Sequence, residues 1–247
     1  KPASSTAYLT ELMVRRINAS GLLPDGALQL ICGGVGDLFD HLGCQDTIAF
    51  TGSKKTAEFL QQHPRVVSQS VAFTAETDSL NSSILGPDAV PGTPEFDLFV
   101  QEVTREMTSK AGQKCTAIRR IIAPAAIAGE VVQAVSSALG KIRIGNPANK
   151  DIDMGALASQ GQRDEVRDRV LELSKEADLV YGGSSDFDVI DADASRGAFF
   201  MPTLLHCQKP MTSHAVHSVE AFGPVSTVLP YDSIDEAIEL SRLGEGS

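Results

Sequence analysis

A single cysteine, Cys115, stands where its thiol could act as a nucleophile. It follows a Gly-Gln-Lys triplet in the stretch AGQKCTAIR, directly after the clearest helix pattern of the chain. A thiolate is strongly nucleophilic, and backbone dipoles or nearby cations favour its formation. Most free cysteines, however, are small buried hydrophobic residues without chemistry. The local pattern alone therefore favours an inert buried thiol over a catalytic one.

Two glutamates could assist such a thiol. Glu76 follows an apolar strand pattern in AFTAETDSLN, where a carboxylate could act as a general base, although most glutamates in this setting are simply solvated. Glu220 precedes Phe222 and a Gly-Pro turn in SVEAFGPV. These two residues could bind a flat ring and its sugar, or they could belong to a loop with one buried phenylalanine.

The stretch FTGSKK carries a predicted strand into a predicted helix. Backbone N–H groups at Gly52 and Ser53, together with the start of the helix, would favour a bound phosphate. The stretch lacks the GxGxxG pattern of dinucleotide-binding turns. A plain turn in which Ser53 caps the helix explains it equally well.

The histidines and the other cysteines are not spaced along the sequence as metal ligands usually are. His214 and His217 are three residues apart, but no third ligand accompanies them, so we predict no metal site. The scattered cysteines form no CxxC pair, which argues against disulfides and favours a reducing, cytoplasmic compartment. They are Cys32, Cys44, Cys115 and Cys207.

Composition excludes two classes of partner. The chain of 247 residues has a net charge of -11, which argues against binding to nucleic acid or to an anionic membrane. No apolar run approaches the ~20 residues that a membrane span needs. The first ten residues show no signal-peptide pattern.

Periodicity predicts an α/β fold with an open, parallel sheet. The best helix pattern places Phe96, Phe99, Val103 and Met107 on one face. The predicted helices lie at 6–20, 54–63, 95–110, 129–142 and 161–177, with a helical turn at 37–43 and a last helix before residue 243. The predicted strands lie at 27–34, 46–53, 65–73, 117–125, 179–183 and 198–207, with one more after Pro224.

Taken in order, the motifs resemble the aldehyde dehydrogenase superfamily over essentially the whole chain. They are a Lys-Pro start, FTGS, a glutamate after a strand, GQKC and EAFGPV. The stretches AETDSLNSSILGPD and GNPANKDIDMGAL resemble one branch, the dehydrogenase part of a bifunctional ring-opening enzyme of phenylacetate degradation. The semialdehyde dehydrogenase of the benzoyl-CoA pathway shares much of this pattern, and the sequence does not separate the two.

The resemblance implies a catalytic mechanism. Cys115 would attack an aldehyde, a hydride would leave for the nicotinamide of NADP or NAD, and Glu76 would activate the water that hydrolyses the acyl-enzyme. The implied substrate is a CoA-linked semialdehyde from aromatic ring degradation. In this context a nucleophilic Cys115 is favoured over an inert one.

The resemblance also implies cofactor contacts. Lys1 would contact the adenosine ribose, Gly52 and Ser53 the pyrophosphate, Glu220 the nicotinamide ribose, and Phe222 the ring. Many relatives that use NAD have a glutamate at the position of Ser4. A serine there removes a charge that would repel a 2′-phosphate, so we expect NADP to be accepted and preferred.

Three further departures from the family pattern stand near the implied site. Ala57 replaces a glycine, Asp78 and Ser79 replace a Gly-Gly pair, and Lys110 replaces an asparagine. The Gly-Gly replacement puts a nicotinamide contact in doubt.

The resemblance implies two partial domains. We expect residues 1–75 to bind the cofactor and residues 76–247 to form the catalytic domain. The oxyanion-stabilising asparagine of the family would precede residue 1, so we expect an excerpt of a longer enzyme with little turnover alone. The implied partners are further copies of the chain in a homo-oligomer and a fused hydratase-like domain.

Three other functions remain open on the sequence. They are a dehydrogenase that transfers the acyl group to CoA, a non-catalytic relative that binds nucleotide or has a structural role, and a cysteine hydrolase without a cofactor. Glu76 argues against the first, because transfer to CoA needs no base to activate water. No histidine motif pairs with Cys115 to support the third.

Overall fold

The structure is a computed structural model that describes residues 1–244. It divides into two compact units, Lys1–Thr77 and Asp78–Ser247. The functional roles expected for the two parts, cofactor binding and catalysis, remain predictions. No helix in the described part of the chain is long and apolar enough to cross a membrane.

The first unit is built around two parallel strands. Strand β1 pairs with strand β2, and Thr51 at the end of β1 lies beside Glu76 at the end of β2. The elements in chain order are a 3-10 helix (Ser4–Thr6), α1 (Ala7–Ala19), a 3-10 turn (Leu38–His41), β1 (Thr47–Thr51), α2 (Lys54–Gln61), α3 (Pro64–Ser68) and β2 (Ala72–Glu76).

Two strand predictions in this unit are wrong. Residues 27–34 form neither helix nor strand, because an apolar run becomes a strand only where another strand pairs with it. The strand predicted at 65–73 is instead α3 followed by β2. Pro64 occupies the first turn of α3, and His63 Nδ1 accepts a hydrogen bond from the Arg65 backbone N–H. These start signals outweigh the strand preference of two adjacent valines.

The second unit contains a five-stranded sheet in the order β3-β4-β7-β6-β5. Its strands are β3 (Ser82–Ile84), β4 (Arg120–Pro124), β5 (Asp178–Tyr181), β6 (Thr203–His206) and β7 (Val225–Tyr231). Its helices are α4 (Pro94–Thr108), α5 (Ala128–Leu139), α6 (Gln160–Leu173), α7 (Ala215–Ser218) and α8 (Ile234–Arg242). The prediction of a parallel sheet fails at one edge, since β5 runs antiparallel to β6. Strand β3 was not predicted.

Helices cover the sheet of the second unit on both faces. Ile121 belongs to a core cluster that includes Val103 and Met107 of α4, whereas Ile122 belongs to a second cluster that includes Val166 of α6. Alternate residues of a strand point to opposite faces, so β4 is apolar on both sides. The face predicted for α4 is confirmed, because Phe96, Val103 and Met107 are buried and Phe99 is partly buried. Because β4 is packed on both faces, it anchors the segment that immediately precedes it in sequence.

Candidate active site

A left-handed turn joins α4 to the stretch that contains Cys115. Lys110 and Ala111 have φ values of +54° and +53°, and Gly112 follows with φ +68°. A Cβ atom on Gly112 would lie 2.2 Å from the Gly223 carbonyl oxygen and 2.7 Å from the nitrogen of Pro224. Glycine is required here for both reasons, conformation and space. The turn thereby brings GQKC directly against the EAFGP turn.

Two side chains hold the backbone of Cys115. Its carbonyl oxygen accepts hydrogen bonds from Ser79 Oγ at 2.7 Å and Asn81 Nδ2 at 2.6 Å. Asn81 Nδ2 also donates to the Ala117 carbonyl oxygen at 3.1 Å. The residue Cys115 itself is exposed, whereas Cys207 is buried. The alternative of a buried thiol at Cys115 is therefore wrong, and a role as nucleophile stays a prediction.

The residues before Cys115 are tied to neighbouring segments. Gln113 Nε2 donates to Gln162 Oε1 at 3.0 Å and to the Phe222 carbonyl oxygen at 3.3 Å, while Gln113 Oε1 accepts from the Ala158 N–H at 2.8 Å. Lys114 Nζ lies 2.5 Å from Glu106 Oε2 on α4. The positive charge beside Cys115 in sequence is thus balanced by a carboxylate.

A buried ion pair lies behind the turn. The Arg119 side chain is 4% exposed and the Glu220 side chain 6% exposed, with Arg119 Nη2 3.1 Å from Glu220 Oε1. The other carboxylate oxygen accepts the Ser79 backbone N–H at 3.2 Å. Burial raises the pKa of Glu220 and lowers the pKa of Arg119, and the attraction between the two groups opposes both shifts. Each charge is therefore kept in the interior by its partner.

Sequence reasoning missed Arg119. The signal was present, because Arg119 and Arg120 stand together at the start of the apolar strand pattern IRRIIAP. A guanidinium in such a strand is buried and must find acceptors. The partner of Arg119 lies 101 residues away in sequence, so the pair itself could not be predicted.

The aromatic residue of the EAFGP turn lies at the surface. Phe222 is 40% exposed, and Arg119 Cζ is 5.6 Å from the centroid of its ring. This distance fits a cation–π contact. Phe222 is therefore placed where part of its ring could pack against a ligand, whereas the carboxylate of Glu220 points inward.

Three predicted residues of the first unit meet at one end of its strands. Glu76 ends β2, and the Gly52 N–H donates to the Glu76 carbonyl oxygen at 3.1 Å. Ser53 caps α2, since its side chain accepts the Thr56 N–H at 3.3 Å. In open α/β sheets, ligands bind outside the carboxyl ends of the strands. The location suits a phosphate site, but the Gly52 N–H that was predicted to bind the phosphate is already bonded to Glu76, and the capping role of Ser53 alone explains its presence.

The other two predicted cofactor residues lie at the start of the chain. Lys1 and Ser4 are exposed, and Ser4 begins a short 3-10 helix that ends at Thr6. This turn leads directly into α1.

His217, one of the two histidines that lie three residues apart, makes hydrogen-bond contacts within the protein. His217 is buried, with Nε2 2.9 Å from the Pro210 carbonyl oxygen and Nδ1 3.3 Å from Arg120 Nη1. Within residues 1–244, no group of three or more histidine, cysteine or carboxylate side chains is arranged to hold a metal ion.

Known proteins resemble this chain along its whole length. It is 48% identical over 247 residues to the 3,4-dehydroadipyl-CoA semialdehyde dehydrogenase of Aromatoleum evansii, covering all of this chain and 48% of that protein. It is 28% identical over 249 residues to malonate-semialdehyde dehydrogenase 3 of Geobacillus kaustophilus, covering 99% of this chain and 48% of that protein. The chain thus spans about half the length of the curated relatives it matches.

A solved structure also resembles this chain over nearly its whole length. The crystal structure of betaine aldehyde dehydrogenase from Staphylococcus aureus in complex with NAD+ superposes with a TM-score of 0.81 at 27% identity, covering 95% of this chain and 45% of that one. The sequence profile of the aldehyde dehydrogenase family matches residues 1–241. The chain therefore belongs to the aldehyde dehydrogenase family.

Proposed function

We propose that the complete protein in which this chain occurs oxidises an aldehyde to a carboxylate, with Cys115 as the nucleophile and NADP or NAD as the cofactor. The observation that carries the proposal is the placement of Cys115. It is exposed at the end of a left-handed turn, and its backbone is held by Ser79 and Asn81. Membership of the aldehyde dehydrogenase family supports the reaction class.

The reaction follows from the chemistry of a thiolate. The Cys115 sulfur adds to the aldehyde carbon, and the carbonyl oxygen takes up the negative charge and then re-forms its double bond as hydride leaves. Bound NADP or NAD supplies the hydride acceptor. Glu76 then takes a proton from water, the hydroxide attacks the acyl thioester, and the thiolate leaves as the carboxylate forms.

The residues implied in cofactor binding fit a dinucleotide unequally. Gly52 and Ser53 lie at the carboxyl end of β1, where backbone N–H groups at the start of α2, rather than the N–H of Gly52 that donates to Glu76, suit a pyrophosphate. Phe222 exposes part of its ring, which suits a nicotinamide. Glu220 fits less well as a ribose ligand, because its oxygens accept from Arg119 and Ser79.

The substrate we propose is a semialdehyde carried on CoA. The support is the 48% identity to a protein named 3,4-dehydroadipyl-CoA semialdehyde dehydrogenase. We also propose that NADP is preferred, because Ser4 brings no negative charge towards a 2′-phosphate. A homo-oligomer, a fused hydratase-like domain and a cytoplasmic location remain predictions of the sequence.

The test is an assay of the complete protein with a panel of free and CoA-linked aldehydes, each with NAD and with NADP. We expect reduction of the cofactor that depends on aldehyde and is lost in Cys115→Ser. The matched control is Cys44→Ser, which removes another exposed thiol and should retain activity. Equal activity of both variants would refute the role of Cys115.

A second variant separates hydrolysis from transfer to CoA. Glu76→Gln should accumulate an acyl-enzyme, seen as added mass on Cys115, because water is no longer activated. If Glu76→Gln turns over normally and only when CoA is supplied, the protein is a CoA-acylating dehydrogenase and the hydrolytic step is wrong.

A further inference from the structure

The guanidinium of Arg119 links the two motifs of the second unit. Its Nη2 donates to the Gly112 carbonyl oxygen at 2.9 Å, three residues before Cys115. Its Nη1 donates to the Gly223 carbonyl oxygen at 2.6 Å, just past Phe222. Its Nε donates to Glu220 Oε1 at 3.2 Å. One buried side chain thus bonds to the backbone of both motifs, at Gly112 of AGQKC and at Gly223 of EAFGP.

Only arginine can make this set of contacts. Its planar group has donors on three nitrogens and stays charged, whereas lysine has one nitrogen. If the side chain were apolar, two buried carbonyl oxygens would each lose a donor, and the buried carboxylate would lose its counter-charge and keep only the Ser79 N–H. The arrangement is therefore specific in geometry as well as in charge.

The contacts of Ser79 close the network. Its N–H donates to Glu220 Oε2 and its hydroxyl donates to the Cys115 carbonyl oxygen, so Glu220 is joined to Cys115 through Ser79 as well as through Arg119. Both routes end on the backbone that carries the thiol. Ser79 binds Cys115 directly, whereas Arg119 binds Gly112, three residues before it.

We propose that Arg119 is a positioning residue, which fixes the backbone of the Cys115 turn by binding Gly112 and Gly223 and by pairing with Glu220. Glu220 then acts through Arg119 and Ser79, as an anchor of this network. The proposal rests on the proposed function, because positioning is meaningful only if Cys115 reacts.

The test compares Arg119→Lys and Arg119→Met in the complete protein. Arg119→Met leaves Glu220 buried without a counter-charge, so both its thermal midpoint and its kcat should fall. Arg119→Lys retains the counter-charge but cannot reach both carbonyl oxygens. We expect a midpoint between those of Arg119→Met and the unaltered protein, because one buried carbonyl oxygen loses its donor. We also expect a kcat, measured well below that midpoint, lower by about tenfold or more and KM values within about threefold, since small misplacements of reacting groups are costly in rate.

Arg120→Met is the matched control for burial. Arg120 is equally buried, at 3% exposed, and donates to the carbonyl oxygens of Leu80 and Leu240. We expect Arg120→Met to lower the thermal midpoint while its kcat, measured well below that midpoint, falls less than that of Arg119→Lys, because its side chain binds Leu80, between Ser79 and Asn81, but neither Gly112 nor Gly223. An Arg119→Lys variant with unaltered kcat would overturn the proposal, as would an Arg120→Met variant whose kcat falls as far as that of Arg119→Lys.

Hydrogen exchange tests the network without turnover. The N–H of Gln113 donates to the Lys110 carbonyl oxygen and the N–H of Ala117 to that of Lys114. In Arg119→Lys these amides should exchange about tenfold faster or more, and by a larger factor than the amide of Val228 in the sheet. Unaltered exchange at Gln113 and Ala117 would overturn the positioning role. If the unaltered protein oxidises no aldehyde, the proposed function fails, and the exchange result still decides whether Arg119 fixes this turn.

Discussion

Replacement of Gly112 by alanine is the most direct perturbation of the turn before Cys115. Two costs add in Gly112→Ala. The backbone at φ +68° costs alanine roughly 1–2 kcal/mol relative to glycine. The new methyl group would lie 2.2 Å from the Gly223 carbonyl oxygen, and forcing extra atoms into a packed site typically costs about 1–3 kcal/mol. We therefore expect the free energy of unfolding to fall by about 2–5 kcal/mol.

Alanine substitutions at two other glycines serve as controls for the conformational and steric costs of Gly112→Ala. Gly92 has φ +93° with no heavy atom within 4 Å of the added methyl group, so Gly92→Ala should show the conformational cost alone, about 1–2 kcal/mol. Gly129 lies in α5 in open space, where alanine should stabilise the helix by about 0.5–1 kcal/mol.

The assay is urea unfolding of the three variants and the unaltered protein. We expect Gly129→Ala, the unaltered protein, Gly92→Ala and Gly112→Ala to rank in that order of decreasing midpoint. A Gly112→Ala variant as stable as Gly92→Ala would refute the reasoning, because it would mean that the EAFGP turn moves away without cost.

Three further outcomes are expected. Lys110→Asn should raise the free energy of unfolding by about 0.5–1 kcal/mol in urea melts, because asparagine adopts φ +54° more readily than lysine; a loss of stability would contradict a left-handed residue 110. Burial lowers the pKa of His217, so the unfolded chain takes up a proton below about pH 6.5 that the folded chain does not. The free energy of unfolding should therefore fall as pH decreases from 7.5 to 5.5, less steeply in His217→Gln, and equal slopes would refute the assignment. In mass-spectrometric labelling with iodoacetamide, buried Cys207 should react only on unfolding, whereas exposed Cys32, Cys44 and Cys115 should react in the folded protein; early labelling of Cys207 would contradict its burial.

Local patterns predicted the elements that carry strong local signals. Helix α4 has proline in its first turn, a threonine cap and apolar residues spaced for one buried face, and it was found close to its predicted limits. Strands β4 and β7 are long apolar runs and were also predicted. The direction of β5 could not be predicted, because alternation along a strand is the same in parallel and antiparallel pairs.

The candidate site was predictable only in part. The position of Cys115 after a helix end follows from the local sequence, whereas the need for glycine at position 112 depends in part on Gly223, far away in sequence. The contacts that hold Cys115 come from Ser79 and Asn81, more than 30 residues earlier, and Arg119 meets Glu220 only because β4 and β7 are neighbours in the sheet. Contacts of this kind depend on topology, which periodicity does not encode.

The central position of β7 has a consequence for the order of folding. Strand β7 separates β4 from β6, although it comes after the other four strands of this sheet along the chain. About 100 residues lie between the end of β4 at Pro124 and the start of β7 at Val225. At synthesis rates of about 5–20 residues per second, β4 waits roughly 5–20 s for its partner. During that time the edge of β4 that β7 will cover is unpaired, so the contact between Arg119 and Gly223 that lies beside Cys115 cannot form until β7 has been made.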